Sequence, residues 1–251
     1  MFQKVFVLAQ TQEVKDKYPL FAAAADKWGF KWKPYTCVSE DGWILSLFHI
    51  LSDQKGNPTP FENMKTKPPV LFMHGVGNSA TSMMRRGNPS PTIAGELANL
   101  GYDVFMGNFR GTIYSNTHVR DGDPDFSLKE RWDFTWAEQG YYDIPVFVDK
   151  IIEITGKPKV TLLGYSMGSA ASFYALAKRQ DFFAPRIHRY VSIATCVHAD
   201  TFLYGYENAA AEALYYYNNG WYNYDGGDEA QIPSSGSRVD GGYARKCLDY
   251  F

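Results

Sequence analysis

Five residues constrain this chain more than any others. Gly164-Tyr165-Ser166-Met167-Gly168 follows the apolar run Val160 to Leu163 and precedes the small-residue stretch Ser169-Ala170-Ala171-Ser172. That order reads as strand, sharp turn, helix, the pattern of a nucleophile elbow. The two glycines let strand and helix cross closely while the serine sits in a strained turn with its hydroxyl exposed. A fold carrying such an elbow needs buried parallel strands, and the rest of the chain supplies them.

Val70-Leu71-Phe72-Met73 and Asp103-Val104-Phe105-Met106 are short continuous apolar runs, as expected of strands covered on both faces. Helical patterns alternate with them over Thr92 to Leu100, Glu138 to Ile154 and Ala170 to Gln180. This alternation argues for βαβ units with right-handed crossovers. Ahead of them, Tyr35 to Ser39 and Ile44 to Leu51 form a hairpin across Glu40-Asp41-Gly42, and Glu13 to Trp32 reads as one helical lead-in. The run Tyr190 to Val197 is the sixth and last expected strand. The fold class expected is therefore α/β, a mostly parallel sheet of about six strands with an N-terminal hairpin. Its division is a lead-in over 1–34, a core over 35–200 and a tail over 201–251.

The tail reads differently from the core. Residues 202–251 hold twelve aromatics but only Ile232 and Val239 as β-branched aliphatics, with glycine and asparagine throughout. No strand run is visible there. Its aromatic load predicts docking on protein, and a sheet ending at its sixth strand would leave an unpaired edge in need of cover. Other protein subunits at the tail and at that edge are the expected partners.

With 251 residues and 45% hydrophobic content, one α/β domain with a sizeable core is the natural size class. A net charge of −2 carries no basic excess, so nothing points to nucleic acid. Cys37, Cys196 and Cys247 stand apart with no C-x-x-C pair, which predicts buried thiols and neither a disulfide framework nor a metal site. No cofactor is expected. The first ten residues are too short an apolar run for a signal peptide, and no asparagine heads a usable glycosylation sequon. The expected home is intracellular, a mitochondrion or other organelle included.

Several blocks in register resemble the acid lipases related to gastric and lysosomal acid lipase, within the α/β hydrolases. They are Ser39-Glu40-Asp41-Gly42-Trp43-Ile44-Leu45, Phe72-Met73-His74-Gly75 with Asn78-Ser79-Ala80-Thr81, Gly101-Tyr102-Asp103-Val104 leading to Gly107-Asn108-Phe109-Arg110-Gly111, and Trp132-Asp133-Phe134-Thr135-Trp136 with Tyr142-Asp143-Ile144-Pro145. The likeness covers about residues 28 to 200. It implies ester hydrolysis through an acyl-enzyme, with Ser166 as nucleophile and the backbone N–H groups of Val76 and Met167 as the oxyanion hole. A lipid or ester is then the expected ligand. Family members carry His and Gln beside the serine where this chain has Tyr165 and Met167.

A serine hydroxyl needs a base and the base needs an orienting carboxylate. No position here matches the family's catalytic Asp and His, and no histidine follows His198. His198 is the candidate base, at the expected carboxyl edge of the sheet beside the serine's strand, with Asp200 as orienter. His74 is read as fixing the oxyanion loop, while His49, His118 and His188 have no motif context. Arg110, Asp143 and Asp133 are read as ion-pair or turn residues. The expectation is thus a C-terminally truncated hydrolase that is catalytically incomplete and serves as an accessory subunit; the alternative is a working lipase or esterase.

Overall fold

The computed structural model describes residues 11–85 and 92–195. Its strands are β1 (Trp32–Val38), β2 (Trp43–Ile50), β3 (Val70–Met73), β4 (Val104–Gly107), β5 (Thr117–His118), β6 (Val160–Tyr165) and β7 (Ile187–Ile193). The helices are α1 (Gln12–Lys17), α2 (Pro19–Trp28), α3 (Ser82–Arg85), α4 (Ile93–Asn99), α5 (Leu128–Arg131), α6 (Trp136–Glu138), α7 (Ile144–Thr155), α8 (Met167–Lys178) and α9 (Gln180–Phe183).

One sheet runs in the order β1-β2-β4-β3-β6-β7, with β5 on β2. It is mixed: β1, β4 and β5 each pair antiparallel to β2, while β3 pairs parallel to β4 and β6, and β6 parallel to β7. Strands β3 and β4 are buried at every residue, which is why they read as unbroken apolar runs. Alternate side chains go to opposite faces. Val70, Phe72, Val104 and Met106 meet Phe21 and Ala25 of α2 and Ala94 and Ala98 of α4 on one side. Leu71, Met73, Phe105 and Leu162 meet Phe147 and Ile151 of α7 and Ala171 and Ala175 of α8 on the other. Each large side chain so buried contributes roughly 1.5–3 kcal/mol, so these two layers hold the sheet between them.

Three expectations are adjusted. The lead-in is two helices because Pro19 interrupts the first, and it ends at Gly29, whose backbone is left-handed. A seventh strand, β5, is present; two residues are too short to show a period. The last described strand lies earlier than expected, because its pairing with β6 begins at Val160 opposite Ile187. Beyond it Ala194 takes φ +50 and departs from extended backbone. Side chains along β7 are half-buried or exposed, unlike those of β3 and β4. His198, Asp200 and the expected tail over 201–251 lie outside the described residues.

Candidate functional site

Ser166 stands at the N-cap of α8 with φ 52 and ψ −118, a positive φ that side-chain-bearing residues rarely adopt. The turn is pinned on both sides. The Ser166 N–H donates to the Ile193 carbonyl at 2.9 Å, and the Ser166 carbonyl accepts from Ser169 and Ala170 N–H at 2.9 and 3.1 Å. A Cβ on Gly164 would come within 2.7 Å of the Gly168 carbonyl oxygen, and one on Gly168 within 2.5 Å of the His74 carbonyl oxygen. Only glycine permits this crossing, so the two flanking positions are required by packing. Met167 is the first residue of the twelve-residue α8, at the positive end of its dipole.

Across from the elbow runs the loop after β3. A Cβ on Gly75 would lie 3.2 Å from Ser166 Cβ and 3.1 Å from the Tyr165 ring. Val76 comes next, 59% exposed. The structure therefore brings together Ser166, Met167 and the Gly75-Val76 loop at the carboxyl ends of β3 and β6, where ligands of open α/β sheets bind.

His74 holds that loop from beneath. Its Nε2 accepts the Phe109 N–H at 3.1 Å, so Nδ1 carries the proton and donates to the Gly75 carbonyl at 2.8 Å. Burial pushes its pKa down to about 4 against the opposing Gly75 bond, keeping the ring neutral. Both nitrogens are in use, which agrees with a fixing role for His74 and excludes it as base.

The other described histidines sit elsewhere. His49 lies 2.6 Å from Asp103, the residue ahead of β4, at the sheet edge opposite Ser166. The His118 Nε2–H donates to the Asp41 carbonyl at 2.8 Å and its Nδ1 accepts the Arg120 N–H at 3.1 Å. His188 is exposed near the start of β7, at the far edge again. Among the described residues no three His, Cys, Asp or Glu side chains are placed to hold a metal ion. No described helix is long and apolar enough to cross a membrane.

Arg110 and Asp143 form the buried ion pair expected of them. Asp143 accepts from Arg110 N–H at 2.9 Å, Nε at 2.8 Å and a terminal nitrogen at 2.6 Å, and both side chains are all but fully buried. Sequence reasoning missed the second carboxylate, Asp41 of the β1–β2 turn, which takes both terminal guanidinium nitrogens, one of them shared with Asp143. Burial works against charge on Arg110, but the two carboxylates overcome it and raise its pKa. Likewise burial would lift Asp41, yet hydrogen bonds from Arg110 and Ser39 hold it below the usual carboxylate range. A guanidinium with five donors buried on an apolar floor was the signal that one aspartate would not suffice. A cavity of about 300 Å³ beside this cluster is lined by Asp41, Trp43, Arg110, Arg131 and Phe134, and does not reach Ser166.

Residues 68–229 match the model of the alpha/beta hydrolase fold family, and residues 21–87 match that of a partial alpha/beta-hydrolase lipase region. Among curated proteins the chain is 33% identical over 172 residues to Lipase lipl-3 of Caenorhabditis elegans, spanning 67% of this chain and 40% of that one. It is 34% identical over 167 residues to the gastric triacylglycerol lipase of Mus musculus, spanning 66% and 40%. To Lipase 1 of Drosophila melanogaster it is 32% identical over 173 residues, spanning 69% and 36%. The chain thus spans about 40% of the length of the curated relatives it matches. With its elbow, its mixed sheet and these matches, the chain belongs to the α/β hydrolase family and is a homologue of its gastric and lysosomal type lipases.

Proposed function

We propose that this chain carries the nucleophile and oxyanion loop of a serine lipase or esterase acting on carboxylic esters of lipids. Ser166 Oγ attacks the ester carbonyl carbon and its proton passes to a base, for which the sequence offers His198 with Asp200 as orienter, both outside the described residues. The negative oxygen is held by the N–H groups of Val76 and Met167. Collapse breaks the bond to the alcohol oxygen, which leaves with that proton, and water then hydrolyses the acyl-serine. The observation that supports this reading is the backbone of Ser166: a residue held at φ 52 against the Gly75 loop is strain of the kind that concentrates at functional sites. Exposed Val76 and Tyr165 give the serine an apolar surround suited to an acyl chain.

A second reading, an accessory subunit without turnover, is favoured by one observation: each described histidine is engaged with another group or lies at the far edge. Partners at the β7 edge, and an intracellular site of action, belong to that reading.

A fluorophosphonate probe decides between them, because it labels only an activated serine. The first reading expects labelling of Ser166 and hydrolysis of a short-chain p-nitrophenyl ester, with Ser166→Ala lowering turnover by at least about a thousandfold. A native protein that neither labels nor turns over the ester rejects it in favour of the second.

A further inference from the structure

The helix that begins at α6 and continues as α7 is interrupted over Gln139–Asp143 by one widened π turn. Such turns are rare in helices and recur at functional sites. This one is almost wholly buried at Gln139, Gly140 and Asp143. What it touches are the supports of Ser166 and of the Gly75 loop.

One arm reaches the oxyanion loop through Arg110. Asp143 takes the Arg110 N–H and two guanidinium nitrogens, and Gln139 Nε2 donates to the Arg110 carbonyl at 3.1 Å. Backbone and side chain of Arg110 are therefore both fixed by the π turn. Its neighbour Phe109 donates to His74, and His74 donates to the Gly75 carbonyl, whose residue abuts Ser166.

The other arm reaches the elbow helix. Gly140 lies so close to α8 that a Cβ there would stand 2.3 Å from the Ala171 carbonyl oxygen. Further along, Arg179 after α8 donates to the Tyr141 carbonyl at 3.0 Å, and the Trp136 and Tyr174 rings meet edge to face at 5.6 Å. The helix whose N-cap is Ser166 is thus seated on the same turn.

We propose that the π turn Gln139–Asp143 is the positioning element that sets the spacing between Ser166 and the Gly75-Val76 loop, with Gln139 and Asp143 serving the loop through Arg110 and Gly140 serving the elbow. This rests on the reading of Ser166 as nucleophile and of the loop as its oxyanion hole. A regular α-turn would carry the side chains of 139 and 143 to other angles and lose one contact or the other.

The test is hydrogen exchange on the full chain, compared between wild type, Gln139→Leu and Gly140→Ala, with fluorophosphonate labelling rates as a second readout. Gln139→Leu removes only the bond to the Arg110 carbonyl, since Gln139 Oε1 has no partner among the described residues. It is expected to speed exchange about tenfold over 74–80 and 109–112 and to leave 166–172 unchanged. Gly140→Ala is expected to do the reverse. In a wild type that labels, each variant slows labelling about tenfold or more, as small misplacements of catalytic groups do. Equal effects of both variants on both segments, an increase spread over β1 and β2, or no change would overturn the proposal. If Gly140→Ala does not fold, Gln139→Leu decides alone by the same pattern. A wild type that fails to label rejects the functional reading, while the exchange pattern still decides whether the turn registers the two segments.

Discussion

Arg110 and Asp143 hold each other three times over, once through the Arg110 backbone N–H and twice through its guanidinium, with the Asp143 side chain fully buried. Removing Asp143 would leave buried Arg110 with Asp41 alone and its backbone N–H and Nε without their acceptor. Asp143→Ala is expected to lower stability by about 3–5 kcal/mol, read from urea unfolding. Arg110→Met combined with Asp143→Leu should cost much less than the two single changes summed. Full additivity in that cycle would show that the pair is not coupled.

Gly75 offers a test confined to the site. A methyl there would stand 3.2 Å from Ser166 Cβ and 3.1 Å from the Tyr165 ring, tight contacts that demand a small shift. Gly75→Ala should lower stability by about 1–3 kcal/mol and slow fluorophosphonate labelling far more than unfolding predicts. An unchanged labelling rate in a folded Gly75→Ala protein would place the reacting carbonyl away from this loop.

His74 predicts an acid-side loss of stability. Its folded pKa of about 4 lies below the ordinary histidine value of 6.5, so between those values the unfolded chain binds a proton that the folded chain refuses. Stability therefore falls as pH drops from 6.5 to 4, by up to about 3 kcal/mol from this group. Asp41, held ionised by Arg110, adds a further loss below the usual carboxylate range. Burial pushes Asp143 up to about 6, which acts with the opposite sign over the same range, so the measure is the difference in slope between wild type and His74→Asn in chemical unfolding across pH 7 to 4, with the variant losing less.

Cys37 is buried on β1, and burial pushes its thiol up to about 12. In a Cys196→Ser, Cys247→Ser background, native protein should react with a disulfide reagent at least about a hundredfold more slowly than urea-unfolded protein. Comparable rates in the two states would mean that β1 opens readily.

Much of this fold was legible because its signals are local. The buried runs at Val70 and Val104, the Asp41-Gly42 hairpin and the elbow each follow from a few adjacent residues. The oxyanion candidates Val76 and Met167 could be named by offset from His74-Gly75 and Ser166; the structure starts α8 at Met167 directly after the serine and sets Gly75, the residue before Val76, against it. What stayed hidden depends on residues distant in sequence. Nothing near Asp41 announces Arg110, which lies 69 positions away. The π turn has no period of its own inside an ordinary helical pattern, and Gly140 looks like a helix-weakening residue until α8 is placed against it. The lead-in was read as one helix because its apolar spacing outweighed Pro19, where the missing N–H ends α1.

The backbone at Ser166 implies that fold and chemistry disagree at this position. A left-handed turn between a buried strand and a helix is best served by glycine, so Ser166→Gly relieves strain worth about 1–3 kcal/mol while deleting the hydroxyl. The most stable sequence on this scaffold is then not the one present. In landscape terms the molecule is locally frustrated at one residue, and the surrounding consistency of sheet, hairpin and helix pairs is what lets it carry that conflict in the native basin.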